Sequence, residues 1–376
     1  MRDAIRGAKP CDKDYVVTGI SEAAFESLFP GAPRVGGRFP VYRLRVDDEP
    51  REIAFARREV KNGRGYRGFL IKYDNSVTIR DDLERRDTTI NSMAIPICAG
   101  SAPVSEKIID PFGGARDVER RIIRATSGHF TDDPVRALRA ARQSAQFGYS
   151  IEPGTVKMMG DCLNELSFEP PERIMYELRL ALKTDRPSVF FCALLESGLL
   201  DAAFPWLYSL VGAGGGADGD AFARAMLALD RAAAISDRPE IRFAALARHI
   251  GRERDPQAAL MDWNGRMTLP GLWVNCAKFA IKESAGAWKI SSPDETADFL
   301  TRLERSPIGT DGIAAVIHSN GQKLPPFLRR AREYYGAMRD ISGHDIPESL
   351  TGSQRGKWLR ARRIESVARL LQEEAN

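Results

Sequence analysis

The chain is predicted to be an α+β protein, with a mixed strand-and-helix segment first and helices alone after it. Three observations carry this. Short apolar or alternating runs at 15–17, 41–46, 52–56 and 69–73 read as strands, whereas the sequence from about residue 117 onward keeps a helical period with few β-branched runs. The loop Asp110-Pro111-Phe112-Gly113-Gly114 stands where the character changes. At 376 residues and 43% hydrophobic content, the chain can bury a sizeable core and is long enough for two or more domains.

Composition narrows the partners. The formal net charge is only +4, so a nucleic-acid partner has to be met by local basic patches and not by the field of the whole molecule. Cys11, Cys98, Cys162, Cys192 and Cys276 are odd in number and form no CxxC pair, as expected of reduced thiols in a cytoplasmic protein without structural zinc. No apolar run has the length of a membrane span and the N-terminus lacks the apolar core of a signal peptide, so no membrane role is expected. No obligate protein partner is inferred.

The first strand, Tyr15-Val16-Val17, is led in by Cys11-Asp12-Lys13-Asp14. Alternate side chains of an extended chain share a face, so Asp12 and Asp14 stand together with Lys13 turned away. Paired carboxylates repel unless a cation lies between them, and their hard oxygens suit magnesium bound with substrate phosphates. A solvated turn uses the same residues. Ser21 can cap a short helix carrying Phe25 and Leu28. Tyr42, Leu44 and Val46 alternate with Val41, Arg43 and Arg45 in a half-buried strand, and Glu52 to Ala56 and Phe69 to Tyr73 form two more. Between these two, Lys61 to Tyr66 carries the glycines and basic side chains of a mobile loop. Glu52 shares a face with Ala54 and Ala56; in a sheet beside the first strand it supplies a third carboxylate, and otherwise it is an exposed strand residue.

Next, Arg85-Arg86-Asp87-Thr88-Thr89-Ile90-Asn91-Ser92-Met93-Ala94 packs charged and hydrogen-bonding side chains ahead of an apolar step. An arginine fork suits triphosphate oxygens, and Asp and Asn suit ribose hydroxyls. A charged, capped helix start would use the same types. Downstream, Asp132-Asp133-Pro134 begins a helix cleanly. Asp133 and Arg136 are three apart and share a face that Arg139 and Arg142 continue. Cytosine and adenine both show an amine donor beside a ring-nitrogen acceptor, so a carboxylate next to a guanidinium selects C and A against U and G. A surface ion pair has the same spacing.

The remainder is helical. Leu138, Ala141 and Ala145 mark the apolar side of one helix and Ile174, Leu178 and Leu182 that of another. Residues 111–116 read as a hinge and 211–220, dominated by glycine, as a flexible linker; the latter lacks the Lys-Ser/Thr of a phosphate loop. Arg355, Lys357, Arg360, Arg362 and Arg363 surround Trp358 on a helix, with Arg329, Arg330 and Arg332 as a second cluster. Such faces suit the phosphates of an RNA helix or simply solvent.

The order Asp12-x-Asp14, then RRDxTxNxMA from Arg85, DPFGGxxD from Asp110, DDPxRxLRAAR from Asp132 and Pro171-Glu172-Arg173-Ile174 resembles the class II tRNA nucleotidyltransferase and poly(A) polymerase family, within the DNA polymerase β superfamily. The resemblance spans residues 1 to about 205 and is strongest for the bacterial CCA-adding branch, through Val35 to Val41 and Glu52 to Arg57. It implies a polymerase-β-like head at 1–116, a neck at 117–210, a body at 211–300 and a tail at 301–376 that grips tRNA, the helical part being elongated. It further implies Mg2+ on Asp12 and Asp14 with Glu52 as third carboxylate, a triphosphate clamp of Arg2 and Arg86, sugar contacts from Asp87 and Asn91, and base and phosphate contacts from Asp133, Arg136, Arg139 and Arg142. The implied substrates are tRNA, CTP and ATP, without a nucleic-acid template. It turns the C-terminal basic helix from solvent toward tRNA.

Two departures accompany it. In the family a first strand and a Gly-Gly pair precede the segment that here reads Met1-Arg2-Asp3, so a start upstream of Met1 is expected. Some relatives carry a His-Asp metal site for phosphohydrolysis near 242–252; here the sequence is Ala247-Arg248-His249-Ile250-Gly251, and no such centre is expected. Rival readings are a poly(A) polymerase, an enzyme adding only CC or only A, and a catalytically impaired tRNA-binding protein.

Overall fold

The structure, a computed structural model, describes every residue except 11–12, 38, 64, 66–67, 98–106, 217–218, 252–254 and 376, with backbone alone at 373–375. The chain divides into two compact units, the first comprising Met1–Ala181 and Val189–Pro205, the second Leu182–Ser188 and Trp206–Asn376.

The first unit opens with helix α1 (Arg2–Ile5) and strand β1 (Tyr15–Val17). Ser21 accepts from the Ala24 amide at 3.2 Å and so caps helix α2 (Glu22–Leu28), as its sequence predicts. Phe25 on this helix is buried against Tyr42 and Phe55, with ring centroids 4.9 and 5.4 Å away, whereas Leu28 is 66% exposed and stays out of the core. Strands β2 (Val41–Val46) and β3 (Glu49–Phe55) form a hairpin whose turn, Asp47-Asp48, has positive φ at both residues (52° and 61°). That is the backbone a two-residue turn needs to match strand twist, and aspartate tolerates it. Strand β1 lies parallel to β3 on its other edge, Tyr15 level with Ile53, giving the order β1-β3-β2.

One face of this sheet is closed by Tyr15, Val17, Tyr42, Ile53 and Phe55 around Phe25. Period-two alternation therefore puts Asp14, Val16, Glu52 and Ala54 on the other face. The strand predicted at 69–73 does not join this sheet. Strand β4 (Arg58–Lys61) takes β5 (Phe69–Lys72) into a separate antiparallel pair. Lys61 is thus a strand end, and its ammonium is tied to the Asp132 carbonyl and to Glu165 at 3.2 Å instead of belonging to a loose loop.

Helix α3 (Ile79–Glu84) has a reciprocal capping box between Thr78 and Asp81. After it, Thr89–Asn91 form one 3₁₀ turn on which helix α4 (Gly114–Arg120) packs. The glycines of DPFGG have a packing reason. Gly113 adopts φ 77°, and a Cβ on Gly114 would stand 2.1 Å from the Thr89 carbonyl oxygen, so the helix reaches the turn only because the side chain is absent. Asp110 accepts from the Gly114 and Ala115 amides at 2.7 and 2.9 Å. The stretch read as a hinge is therefore a fastened turn inside one compact unit. Helix α5 (Val135–Phe147) buries Leu138, Ala141 and Ala145, and helix α6 (Pro171–Ala181), which packs on it, buries Ile174 and Leu178.

In the second unit, proline at the first helical position starts the helices Pro239–Ala247, Pro256–Met267 and Pro293–Glu304, where its missing N–H costs nothing. Phe243 sits between Trp263 and Trp273, with centroids 5.1 and 5.2 Å away. Of the stretch read as a flexible linker, the described residues on either side of 217–218 are fastened to one another. Asp220 accepts from Ala223 and Gly212, and the Ala221 amide donates to Ala213.

Candidate active site

Asp87 is the centre of a dense polar network in the first unit. Its carboxylate, 6% exposed, accepts from the Thr88 amide at 2.8 Å, Asn91 Nδ2 at 3.1 Å, Arg139 Nε at 2.7 Å and Gln143 Nε2 at 2.9 Å. Burial alone would raise its pKa, but the adjacent Arg139 guanidinium and these donors prevail and hold it at about 2. The same pairing raises the Arg139 pKa. Asn91 turns its other atom outward to accept from Arg2 Nη1 at 2.6 Å, and the Arg2 guanidinium lies 4.5 Å above the Phe147 ring. Arg142 is bound to Glu177, itself 1% exposed, and Arg139 reaches the same carboxylate at 4.0 Å. Residues from the start of the chain, the 3₁₀ turn, α5 and α6 thus meet at one place.

Arg86 donates to the Asn91 carbonyl at 3.2 Å and to the buried Asp82 at 3.1 Å. It supports the turn that carries Asn91 and does not stand alone as a clamp. Asp133 and Arg136 differ from the expectation that they share a helix face. Asp133 precedes the first turn of α5, accepts the Val135 amide at 3.1 Å, and is gripped by both Nη atoms of Arg173 at 3.1 and 2.7 Å. Arg136 is buried and turns to the His129 carbonyl and to Glu59 at 3.5 Å. The physical reason is that Asp133 lies one residue before the cap Pro134 and has extended backbone (φ −127°, ψ 107°), so the helical three-residue spacing does not apply to it.

Arg173, Gln143, Glu59 and Glu177 were not among the predicted site residues. Glu177 had a signal: it is three after Ile174 and four before Ala181, so it lies on the apolar stripe of α6 and must be paired. Glu59 had none, because its partners Arg57, Arg85 and Arg136 come from three segments.

Asp14 and Glu52 each lie one residue before the paired positions Tyr15 and Ile53, so they are level on the open face of the sheet. Asp14 is exposed. Glu52, 63% exposed, makes a 3.3 Å ion pair with Arg43 across the hairpin. Asp12 lies outside the described residues, and among those described no group of three or more His, Cys, Asp or Glu side chains converges. The donor chemistry nonetheless fits a divalent cation: hard oxygens, level on one open sheet face at the end of a strand. In the second unit Arg360 is forked onto Asp298 at 2.8 and 2.6 Å and Arg362 is paired with Glu365, while Arg355 and Lys357 are exposed and Arg363 is half-buried.

Comparison with known proteins gives the family. The family model described as "Poly A polymerase head domain" matches residues 1–124, and that described as "Probable RNA and SrmB- binding site of polymerase A" matches 148–210. A multifunctional CCA protein of Xanthomonas campestris pv. campestris (strain B100) is 38% identical over 411 residues, spanning 98% of this chain and 96% of the relative. One from Hahella chejuensis is 30% identical, spanning 100% of this chain and 94% of the relative. Among solved structures, an apo CCA-adding enzyme has the same fold at TM-score 0.70 and 20% identity, covering 99% of this chain and 89% of that one. A complex of a CCA-adding enzyme with ATP does so at TM-score 0.67 and 20% identity, covering 97% and 83%. The matched head domain and the relatives that align over nearly the whole chain mark it as a nucleotidyltransferase with a poly(A) polymerase head. The chain belongs to the class II tRNA nucleotidyltransferase and poly(A) polymerase family, whose chemistry depends on a divalent metal.

Proposed function

We propose that this chain adds C, C and A to the 3′ end of tRNA from CTP and ATP, releasing pyrophosphate without a template. The observation that carries this is the end-to-end correspondence with multifunctional CCA proteins at 38% identity. In this reading Asp12 and Asp14, with Glu52 beside them, hold the divalent ions, and magnesium suits their oxygen donors. Bound there, it supplies Lewis-acid activation of the attacking 3′-hydroxyl and charge neutralisation of the leaving group. Arg2 and Arg86 meet the triphosphate, and Asn91, oriented by Asp87, meets the sugar. Asp133 and Arg136 read the pairing edge of the base; both are bound elsewhere here, so reading requires them to exchange Arg173, His129 and Glu59 for the nucleotide. Arg139 and Arg142, held by Asp87 and Glu177, present their remaining N–H groups to phosphates or base. Arg355, Lys357 and Arg363 contribute the tRNA contact, with Arg360 and Arg362 in support. The division into head, neck, body and tail and a cytoplasmic location belong to the same proposal; no described helix is long and apolar enough to cross a membrane.

The test is incubation of the chain with tRNA lacking its 3′ end and each nucleotide separately, followed by sequencing of the product. Two added cytidines with CTP alone, and completion on adding ATP, are expected. Long adenosine tails would make it a poly(A) polymerase, and salt-sensitive binding without incorporation would leave only a tRNA-binding protein.

A further inference from the structure

Arg173 stands between two carboxylates and satisfies only one of them fully. Its Nη1 donates both to Asp133 Oδ1, at 3.1 Å, and to Glu169 Oε2, while its Nη2 donates to Asp133 Oδ2 at 2.7 Å. Asp133 therefore has the whole fork, and Glu169 shares one nitrogen of it. The Glu169 side chain is fully buried, and its Oε1 has no hydrogen-bond partner among the described residues. Local sequence holds it there. Pro170 and Pro171 follow Glu169, so φ is fixed at two of the three residues between the carboxylate and Arg173. From the other side Gly65 passes close: a Cβ on it would lie 3.8 Å from Glu169 Oε1. Burial raises the Glu169 pKa, the Arg173 guanidinium opposes the rise, and the neighbouring Asp133 charge adds to it. A buried acceptor left without a donor is costly, yet the fold keeps one beside the base-reading carboxylate.

That oxygen supplies what nucleotide binding lacks. On the reading that Asp133 meets the exocyclic amine of cytosine or adenine, Asp133 must first lose the fork of Arg173. A half-buried guanidinium released without a new acceptor would oppose binding. If it turns instead to Glu169, Nη1 and Nη2 meet Oε2 and Oε1, so two charged hydrogen bonds are kept and the idle oxygen gains its donor. We propose that Glu169 is a positioning residue for base reading, the second acceptor onto which Arg173 swings when a nucleotide takes Asp133. Arg173 is then a latch that occupies the base-reading carboxylate only while the site is empty. Both carboxylates already share Nη1, so the exchange is a turn of the guanidinium about that nitrogen.

The inference rests on the base-reading role of Asp133, and equilibrium dialysis of CTP and of ATP against the full chain tests the two apart. Glu169→Gln, which removes the charge and keeps the shape, should bind each nucleotide roughly tenfold more weakly, the scale of one charged hydrogen bond, with kcat changing less. Glu169→Asp, which draws the acceptor back by one methylene, should shift affinity in the same direction by less. Adding Arg173→Met to Glu169→Gln should restore binding to within about twofold of wild type, because an absent latch needs no acceptor and neither charge is left buried alone. General structural damage would not be repaired by a second substitution. Unchanged affinity in both single variants overturns the latch, and so does a double variant as weak as Glu169→Gln. Asp133→Ala separates the two failures. If it discriminates CTP from UTP as wild type does, base reading fails and takes the latch with it; if discrimination is lost while Glu169→Gln binds CTP like wild type, the latch alone fails.

Discussion

Asp87 and Asp14 lie in the same compact unit, yet the protein treats their charges in opposite ways. Asp87 is buried and has four protein donors, including a guanidinium. Asp14 is exposed on the open face of the sheet, level with another carboxylate. A buried charge is tolerable only when the fold supplies its partners in advance. An exposed pair of like charges can wait for a partner from outside, at the expense of mutual repulsion. The first arrangement fixes a rigid turn, which the proposed function assigns to the nucleotide, and the second leaves carboxylates exposed, which the proposed function assigns to a cation. Substitutions should therefore separate them: one should be felt in catalysis and the other in stability.

The largest effect is expected at the open carboxylates. Asp14→Ala, like Asp12→Ala, should reduce nucleotide incorporation by roughly 10³-fold, the scale of several kcal/mol that a lost metal site removes. Its unfolding free energy should stay within about 0.5 kcal/mol of wild type, as for other surface substitutions. Normal incorporation by either variant would remove the metal assignment, and a large loss of stability would show that the open face is structural after all.

At Asp87 the order reverses. Asp87→Asn keeps the shape but strips Arg139 and Gln143 of a charged acceptor; because the Arg139 side chain is 40% exposed and water screens it, the cost should be about 1–2 kcal/mol, below that of a fully buried pair. Denaturant unfolding checks this, and incorporation should fall only as far as Asn91 and Arg139 lose their positions. The pH dependence sharpens the contrast. The Asp87 carboxyl is held at about 2 in the folded chain against an ordinary 3.8. A group with a lowered folded pKa stabilises the fold above its unfolded value and loses that contribution as pH falls. Roughly 2 kcal/mol present above pH ~4 should disappear on acidification toward pH ~2, and Asp87→Asn should flatten that part of the curve.

Legibility followed the same division. The cap at Ser21 and the alternation in β2 are local patterns, and local pattern suffices for them, while the parity of Asp12 with Asp14 falls on a residue outside the described ones. The Asp87 hub depends on contacts with residues 52 and 56 positions away, which no local period encodes, so its members were read as a list without their connections. The Asp133 and Arg136 spacing does not put them on one face because Asp133 is extended and lies before the helix begins. The strand 69–73 was found, but its partner was not, since pairing is a matter of topology and alternation says nothing about it.

A moderate effect is expected where the two kinds of site meet. Asp133 is half-buried and held by Arg173, between full pairing and openness. Asp133→Ala should cost about 1–3 kcal/mol in discrimination of CTP and ATP against UTP and GTP, with total incorporation changing less. Misincorporation on truncated tRNA measures it, and unchanged selectivity would remove Asp133 from base reading.

The smallest effect tests whether Glu52 belongs to the open site or merely decorates a strand. Its ion pair with Arg43 is solvent-exposed on both sides, 53% for Arg43 and 63% for Glu52, so removing it should change stability by less than about 1 kcal/mol. If Glu52 is a reserve ligand, Arg43 competes with the cation for it. Arg43→Ala should then lower the magnesium concentration needed for half-maximal incorporation by roughly two- to threefold, and Glu52→Gln should raise it, since less than about 1 kcal/mol separates the paired from the released carboxylate. Opposite shifts from two neighbours on one face cannot come from general destabilisation, which would move both the same way. If neither variant shifts the magnesium requirement, Glu52 is an ordinary strand residue and the open face holds its cation with the two aspartates alone.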